Sequence, residues 1–200
     1  MARKTNTFRM NMMAMFVAIV IIQTTVPILG NIPTPWGLEI SIISATVSIV
    51  TILMGTLDGA VIGGIWGLIT FIRAFVWPTS PIAPIVFVNP LVSILPRILI
   101  GIFAGMTFSW MMKKTNKFKL SASLTGIVGS LTNTIFVLGF IYLFYRAKAP
   151  QLYAVNIKEL LPYLLGIIAT NGIPEAIFSG IIVPLIAEPL KKVFDRRMHA

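Results

Sequence analysis

The chain has no cysteine, which removes disulfides, thiol nucleophiles and thiolate metal sites at once. Its one histidine, His199, is the penultimate residue, so neither a histidine-held metal nor a Ser–His pair can form within the body of the sequence. Acid is scarce too: six Asp and Glu stand against sixteen Lys and Arg, and all charged residues together make up 11%, under half of the roughly one quarter usual in soluble domains. No paired-carboxylate site and no G-x-x-x-x-G-K-[ST] phosphate loop is found. The reading is therefore a protein that is not an enzyme and has no cofactor, with any ATP-driven work done elsewhere.

What the sequence has in abundance is apolar length. Hydrophobic residues make up 56% of the 200, and stretches long enough to span a bilayer lie at about 11–29, 40–55, 59–76, 88–112, 120–145 and 160–190. This predicts an all-α integral membrane protein, one domain over residues 1–200, with six transmembrane helices. The first run, Met10 to Leu29, is too long for a signal-peptide core and no Ala-x-Ala follows it, so it reads as a span.

The basic residues sit at the ends of these runs. Arg3, Lys4 and Arg9 precede the first span, Lys113, Lys114, Lys117 and Lys119 follow the fourth, and Lys191, Lys192, Arg196 and Arg197 follow the sixth. In a six-span layout all three clusters share one side, which the positive-inside rule makes cytoplasmic, with both termini inside. They are not interleaved with aromatics on a polar surface, so the net charge of +10 is a topology signal rather than a nucleic-acid footprint. The other side holds Gly30–Glu39, Pro78–Phe87 and Arg146–Lys158, rich in proline; Gly30–Gly37 either caps a site or merely connects, and Trp77–Pro84 reads as a semi-rigid flap.

Within the apolar runs a few polar residues need a reason to be there. Arg97 lies deep in N-P-L-V-S-I-L-P-R-I-L-I-G, and an intramembrane arginine costs at least ~2.5–3.5 kcal/mol on insertion scales, so it faces a cavity or a partner. Asn89, Ser93 and Arg97 recur every fourth position and would form one stripe on a helix, continued by Gly101 and Gly105. In the third span Gly55, Gly59, Gly63 and Gly67 make a ridge that admits another backbone closely, and Trp66, Thr70 and Arg73 follow at helical spacing. The fifth span carries Gly126, Gly129, Ser130 and Asn133 along one side, where Asn133 serves either a neighbouring helix or a ligand. The sixth is interrupted by Asn171-Gly-Ile-Pro-Glu175, which should kink it. Glu175 is either a counter-ion for Arg97 or Arg73, or a group that binds solute.

Two buried cations against one carboxylate leave a local surplus of positive charge, which favours a carboxylate-bearing ligand held by a guanidinium fork. Ala14 and Ala18 in the first span, four apart, mark a helix-packing face. On these features alone a small self-sufficient secondary transporter and a membrane assembly or scaffold protein both stay open. The two inverted halves expected of a transporter are not visible.

The termini-inside layout, Ala14-x-x-x-Ala18, the glycine-rich third span and N-P-L-V-S-I-L-P-R-I-L-I-G together make the chain resemble the S components of energy-coupling factor (ECF) vitamin transporters, of the group whose members share one energising module. The resemblance implies an S-component-like helix bundle in a bacterial cell membrane. It further implies a vitamin captured from outside beneath the first and third loops, and delivery through an ABC-type importer made with a transmembrane scaffold subunit and two cytoplasmic ATPase subunits. Ala14 and Ala18 would be the partner-docking face. Among family substrates pantothenate, a small monocarboxylate with an amide and hydroxyls, suits Arg97 best, with Asn89, Asn133 and Trp66 around the remainder. Ser93, Arg73, Asn171 and Glu175 complete the candidate set. Folate could use Arg73 and Arg97 together; riboflavin, being neutral, leaves the cations unexplained.

Overall fold

The computed structural model describes residues 2–33, 39–78, 82–148, 150, 156 and 158–198. The middle of both proline-rich loops, with Trp36, most of the stretch between Lys148 and Lys158, and His199 lie outside the described residues. The described residues are almost wholly helical. Helix α1 (Ala2–Thr25) and a single turn α2 (Pro27–Gly30) lead into a hairpin of β1 (Asn31–Pro33) and β2 (Glu39–Ser41), and then α3 (Ile43–Met54) and α4 (Thr56–Val76) follow. Short helices α5 (Ala83–Val86) and α6 (Pro90–Ser93) precede α7 (Leu95–Thr115) and α8 (Phe118–Tyr145). Helix α9 (Leu160–Ile167) continues through a π turn (Ile168–Gly172) into α10 (Ile173–Met198).

Among the described residues five stretches are long and apolar enough to cross a membrane: Thr7–Thr25, Thr56–Val76, Pro90–Thr115, Phe118–Lys148 and Leu160–Arg197. The second expected span is shorter than its apolar run. Part of 40–55 is taken by β2, and α3 keeps only 12 residues, about 18 Å at 1.5 Å per residue. It is the centre of the bundle: every residue from Ile43 to Leu53 is buried, with α1, α4, α7, α8 and α10 packed around it. Gly55 belongs to the break between α3 and α4 rather than to the glycine ridge, because the reversal there takes φ to +111°, a conformation open to glycine. The fourth expected span is likewise two pieces. Pro96, at the start of α7, supplies no amide hydrogen, and the chain restarts its helix at Leu95.

Outward faces are apolar, as on Leu57, Val61, Leu68, Ile72 and Phe75 of α4, all exposed. Such a surface is suited to lipid. The ion pairs among the described residues collect at one end: Arg9 of α1 pairs with Asp58 of α4 at 2.5 Å, Lys119 of α8 and Lys192 both reach Glu188 of α10 at 3.5 Å, and the rings of Phe8 and Phe194 lie 5.6 Å apart. The early part of α1 and the late part of α10 therefore sit at the same end of the bundle.

Helices α4 and α7 touch backbone to backbone. A Cβ on Gly63 would run into the carbonyl of Arg97, one on Gly67 into the backbone of Ser93 and Ile94, and one on Gly101 into that of Gly59 and Ala60. The ridge read from the sequence thus seats the first turn of α7 and fixes where Arg97 begins.

Candidate functional site

At the end of the bundle away from these ion pairs, a cavity of about 280 Å3 opens among the helices. The late part of α4 gives it Trp66, Thr70 and Arg73, α7 gives Arg97, and α8 gives Asn133. Gln23 and Thr24 at the end of α1, Asn31 and Ser41 of the hairpin, and Phe87 just after α5 complete the polar and aromatic wall.

Arg97 is 6% exposed. Its Nη1 donates to the carbonyl of Val92 at 2.7 Å, and its guanidinium carbon lies 5.1 Å from the ring centroid of Trp66 and 5.3 Å from that of Phe87. The cation thus lies within cation–π range of two rings, an interaction worth ~2 kcal/mol when desolvated. Its Nε is buried and bonded to nothing. Arg73 donates from Nη1 to the carbonyl of Thr24, close to where the negative end of the α1 dipole falls, and its Nε is also buried and unpaired. Neither arginine forms an ion pair with a described carboxylate. Asn133 adds the complement, a buried Oδ1 acceptor with no donor. Buried polar atoms are seldom left unpaired, and those that are ask for a partner. A solute with acceptor oxygens for the guanidinium groups and an N–H or O–H for Asn133 would meet all three.

Of the eight residues expected around a ligand, the cavity gathers Arg97, Arg73, Trp66 and Asn133. The other four do not line it. Asn89 caps α6, its Oδ1 accepting from the Leu91 amide at 3.0 Å, and Ser93 Oγ donates to the Asn89 carbonyl at 3.0 Å. Their polar atoms serve the break before α7, so no continuous stripe runs from Asn89 to Arg97. Asn171 sits in the π turn with Oδ1 buried and unpaired. Glu175, 5% exposed, accepts from Ser44 Oγ at 2.9 Å, Ser130 Oγ at 3.0 Å and, more distantly, the Ser41 amide at 3.4 Å.

Sequence reasoning missed Gln23, Thr24, Ser41 and Phe87. A polar Gln-Thr pair late in the first apolar run was a usable signal for the first two; Ser41 is placed by the hairpin register, which no pattern announces. On the outer side of α1, Ala14 and Ala18 are exposed and floor an apolar groove flanked by Met10, Met13, Val17 and Ile21, with Arg9 at its end.

An apolar-skinned helix bundle around a small, cation-lined polar cavity defines a multi-pass membrane protein able to hold a solute inside itself. Residues 8–187 match the family described as "ECF transporter, substrate-specific component", and the chain belongs to that family. It is similar to the protein named "Pantothenate transporter PanT" of Leuconostoc mesenteroides, 35% identical over 186 residues that cover 90% of this chain and 91% of the relative. It is also similar to "Pantothenic acid transporter PanT" of Lactococcus lactis, 31% identical over 194 residues, covering 90% and 92%. The protein is thus a substrate-specific transporter component of the bacterial plasma membrane.

Proposed function

We propose that the protein captures pantothenate from outside the cell and passes it to an energising module formed by a transmembrane scaffold subunit and two cytoplasmic ATPases. The observation that carries this reading is the pairing of an anion-holding wall with a neutral one in a single small cavity. Arg97, within cation–π range of Trp66 and Phe87, takes the carboxylate, with Arg73 adding a second positive charge. Asn133, whose Oδ1 has no donor, accepts from a hydroxyl or the amide of the ligand. Both relatives described above carry this vitamin in their names.

Size and charge argue against the other candidates. The cavity of about 280 Å3 falls just below the ~300–1,000 Å3 common for small-molecule pockets, which disfavours folate. Riboflavin, being neutral, offers no carboxylate to either guanidinium group. The charged end of the bundle faces the cytoplasm in this reading and the cavity faces outward.

Equilibrium binding to the purified protein, with pantothenate, folate, riboflavin, pyridoxine and biotin as a panel, tests it. Tight binding of pantothenate alone is expected. Preference for another vitamin would reassign the substrate, and no binding to any of them would favour an assembly or scaffold role.

A further inference from the structure

Asp58 and Glu175 are the two carboxylates buried among the described residues; Asp58 pairs with Arg9 at the charged end, whereas Glu175 neither lines the cavity nor forms an ion pair with an arginine. Its Oε1 receives two hydroxyls, Ser44 of α3 at 2.9 Å and Ser130 of α8 at 3.0 Å, and its Oε2 faces the amide of Ser41 at the end of β2 at 3.4 Å. Ser44 Oγ lies also 3.2 Å from the Ser41 carbonyl. One side chain of α10 is thus linked to α8, to the first turn of α3 and to the root of the hairpin.

That root is part of the cavity wall. Asn31 and Ser41 are cross-strand partners, both line the cavity, and the amide of Ile42 extends the ladder to the Gly30 carbonyl at 2.8 Å. Among the described residues the two strands share three residue pairs, and a two-stranded hairpin of that kind is at best marginally stable by itself in water. Something outside it must hold it in place.

We propose that Glu175 is a positioning residue for the binding site, fastening the Asn31/Ser41 end of the hairpin to the α8–α10 body and so setting one wall of the cavity. The proposal rests on the substrate reading above only for its effect on binding, not for the fastening itself.

Glutamine is the informative replacement because it keeps size and shape but has one acceptor oxygen instead of two. If that oxygen serves Ser44 and Ser130, the amide NH2 confronts the Ser41 N–H, donor against donor. In Glu175→Gln, full-length and in lipid nanodiscs without ligand, the amides from Ile40 to Ser44 should exchange hydrogen about tenfold faster, as for loss of a hydrogen bond to a charged group. Those of α4 and α7 should be unchanged, and pantothenate should dissociate faster by a similar factor. Unchanged exchange at the hairpin root overturns the proposal; so does an acceleration spread equally over α4 and α7, which would make Glu175 merely structural. The milder Ser44→Ala carries the same test should Glu175→Gln not fold, with a smaller rise at the same amides. Absence of pantothenate binding to the unmodified protein would instead remove the substrate reading and leave the exchange result to decide the fastening.

Discussion

Arg97 is held in place before any ligand arrives. Its Nη1 is committed to Val92, its faces to Trp66 and Phe87, and its carbonyl lies where a Cβ of Gly63 would be, so it loses little freedom on binding and can spend its remaining hydrogens on a carboxylate. Replacing it with alanine should weaken pantothenate by more than tenfold, since a buried hydrogen bond to a charged group is worth about 1.5–3 kcal/mol. A sharper form compares the acid with the corresponding primary alcohol. The unmodified protein should prefer the acid, and Arg97→Ala should bind both about equally; a preference that survives in Arg97→Ala would move the carboxylate to Arg73. Lysine at 97 should not restore full affinity, because it offers a point charge without the planar fork and stacks poorly between two rings. Isothermal titration measures all three.

Between elements the decisive contact is α4 on α7. Gly63 has no room for a methyl group because the Arg97 carbonyl occupies it, whereas Cβ at Gly64 would meet only the flexible end of Ile98 at 3.4 Å. Gly63→Ala should therefore lower thermal stability, by the ~1–3 kcal/mol typical of overpacking, and weaken binding with it because Arg97 moves. Gly64→Ala should do neither, and equal effects of the two would show that α4 and α7 are not locked at this register. This contact also shows what the sequence discloses. The ridge at Gly59, Gly63 and Gly67, and polar residues stranded in apolar runs such as Arg73, Arg97 and Asn133, are legible because lipid tolerates neither close backbones nor charge without cause. The shortness of α3 is not, since a helix buried on all sides and one facing lipid are equally apolar. Nor is the division at Ile94, where Asn89 and Ser93 keep the helical spacing of a stripe while spending their polar atoms on a cap. Gly55 shares the spacing of four for a different reason, the turn at positive φ.

For the molecule as a whole, the proposed ligand and partner sites lie at different places along α1. Ala14 and Ala18 are exposed in an apolar groove, while Gln23 and Thr24, which reach the cavity, lie farther along the same helix, roughly 14 Å from Ala14 and roughly 8 Å from Ala18. Two exposed alanines four apart invite a close helix, and the large side chain of tryptophan would block it without touching the cavity. Ala14→Trp should bind pantothenate within about twofold of the unmodified protein, a change well below 1 kcal/mol, yet support no uptake in cells that also make the scaffold and ATPase subunits. Uptake by cells making this protein alone would point to a self-sufficient transporter, and retained uptake in Ala14→Trp would place docking elsewhere. Lost binding in the same variant would show that α1 carries strain from the groove to Thr24, whose carbonyl is tied to Arg73; groove and cavity would then be one coupled site rather than two.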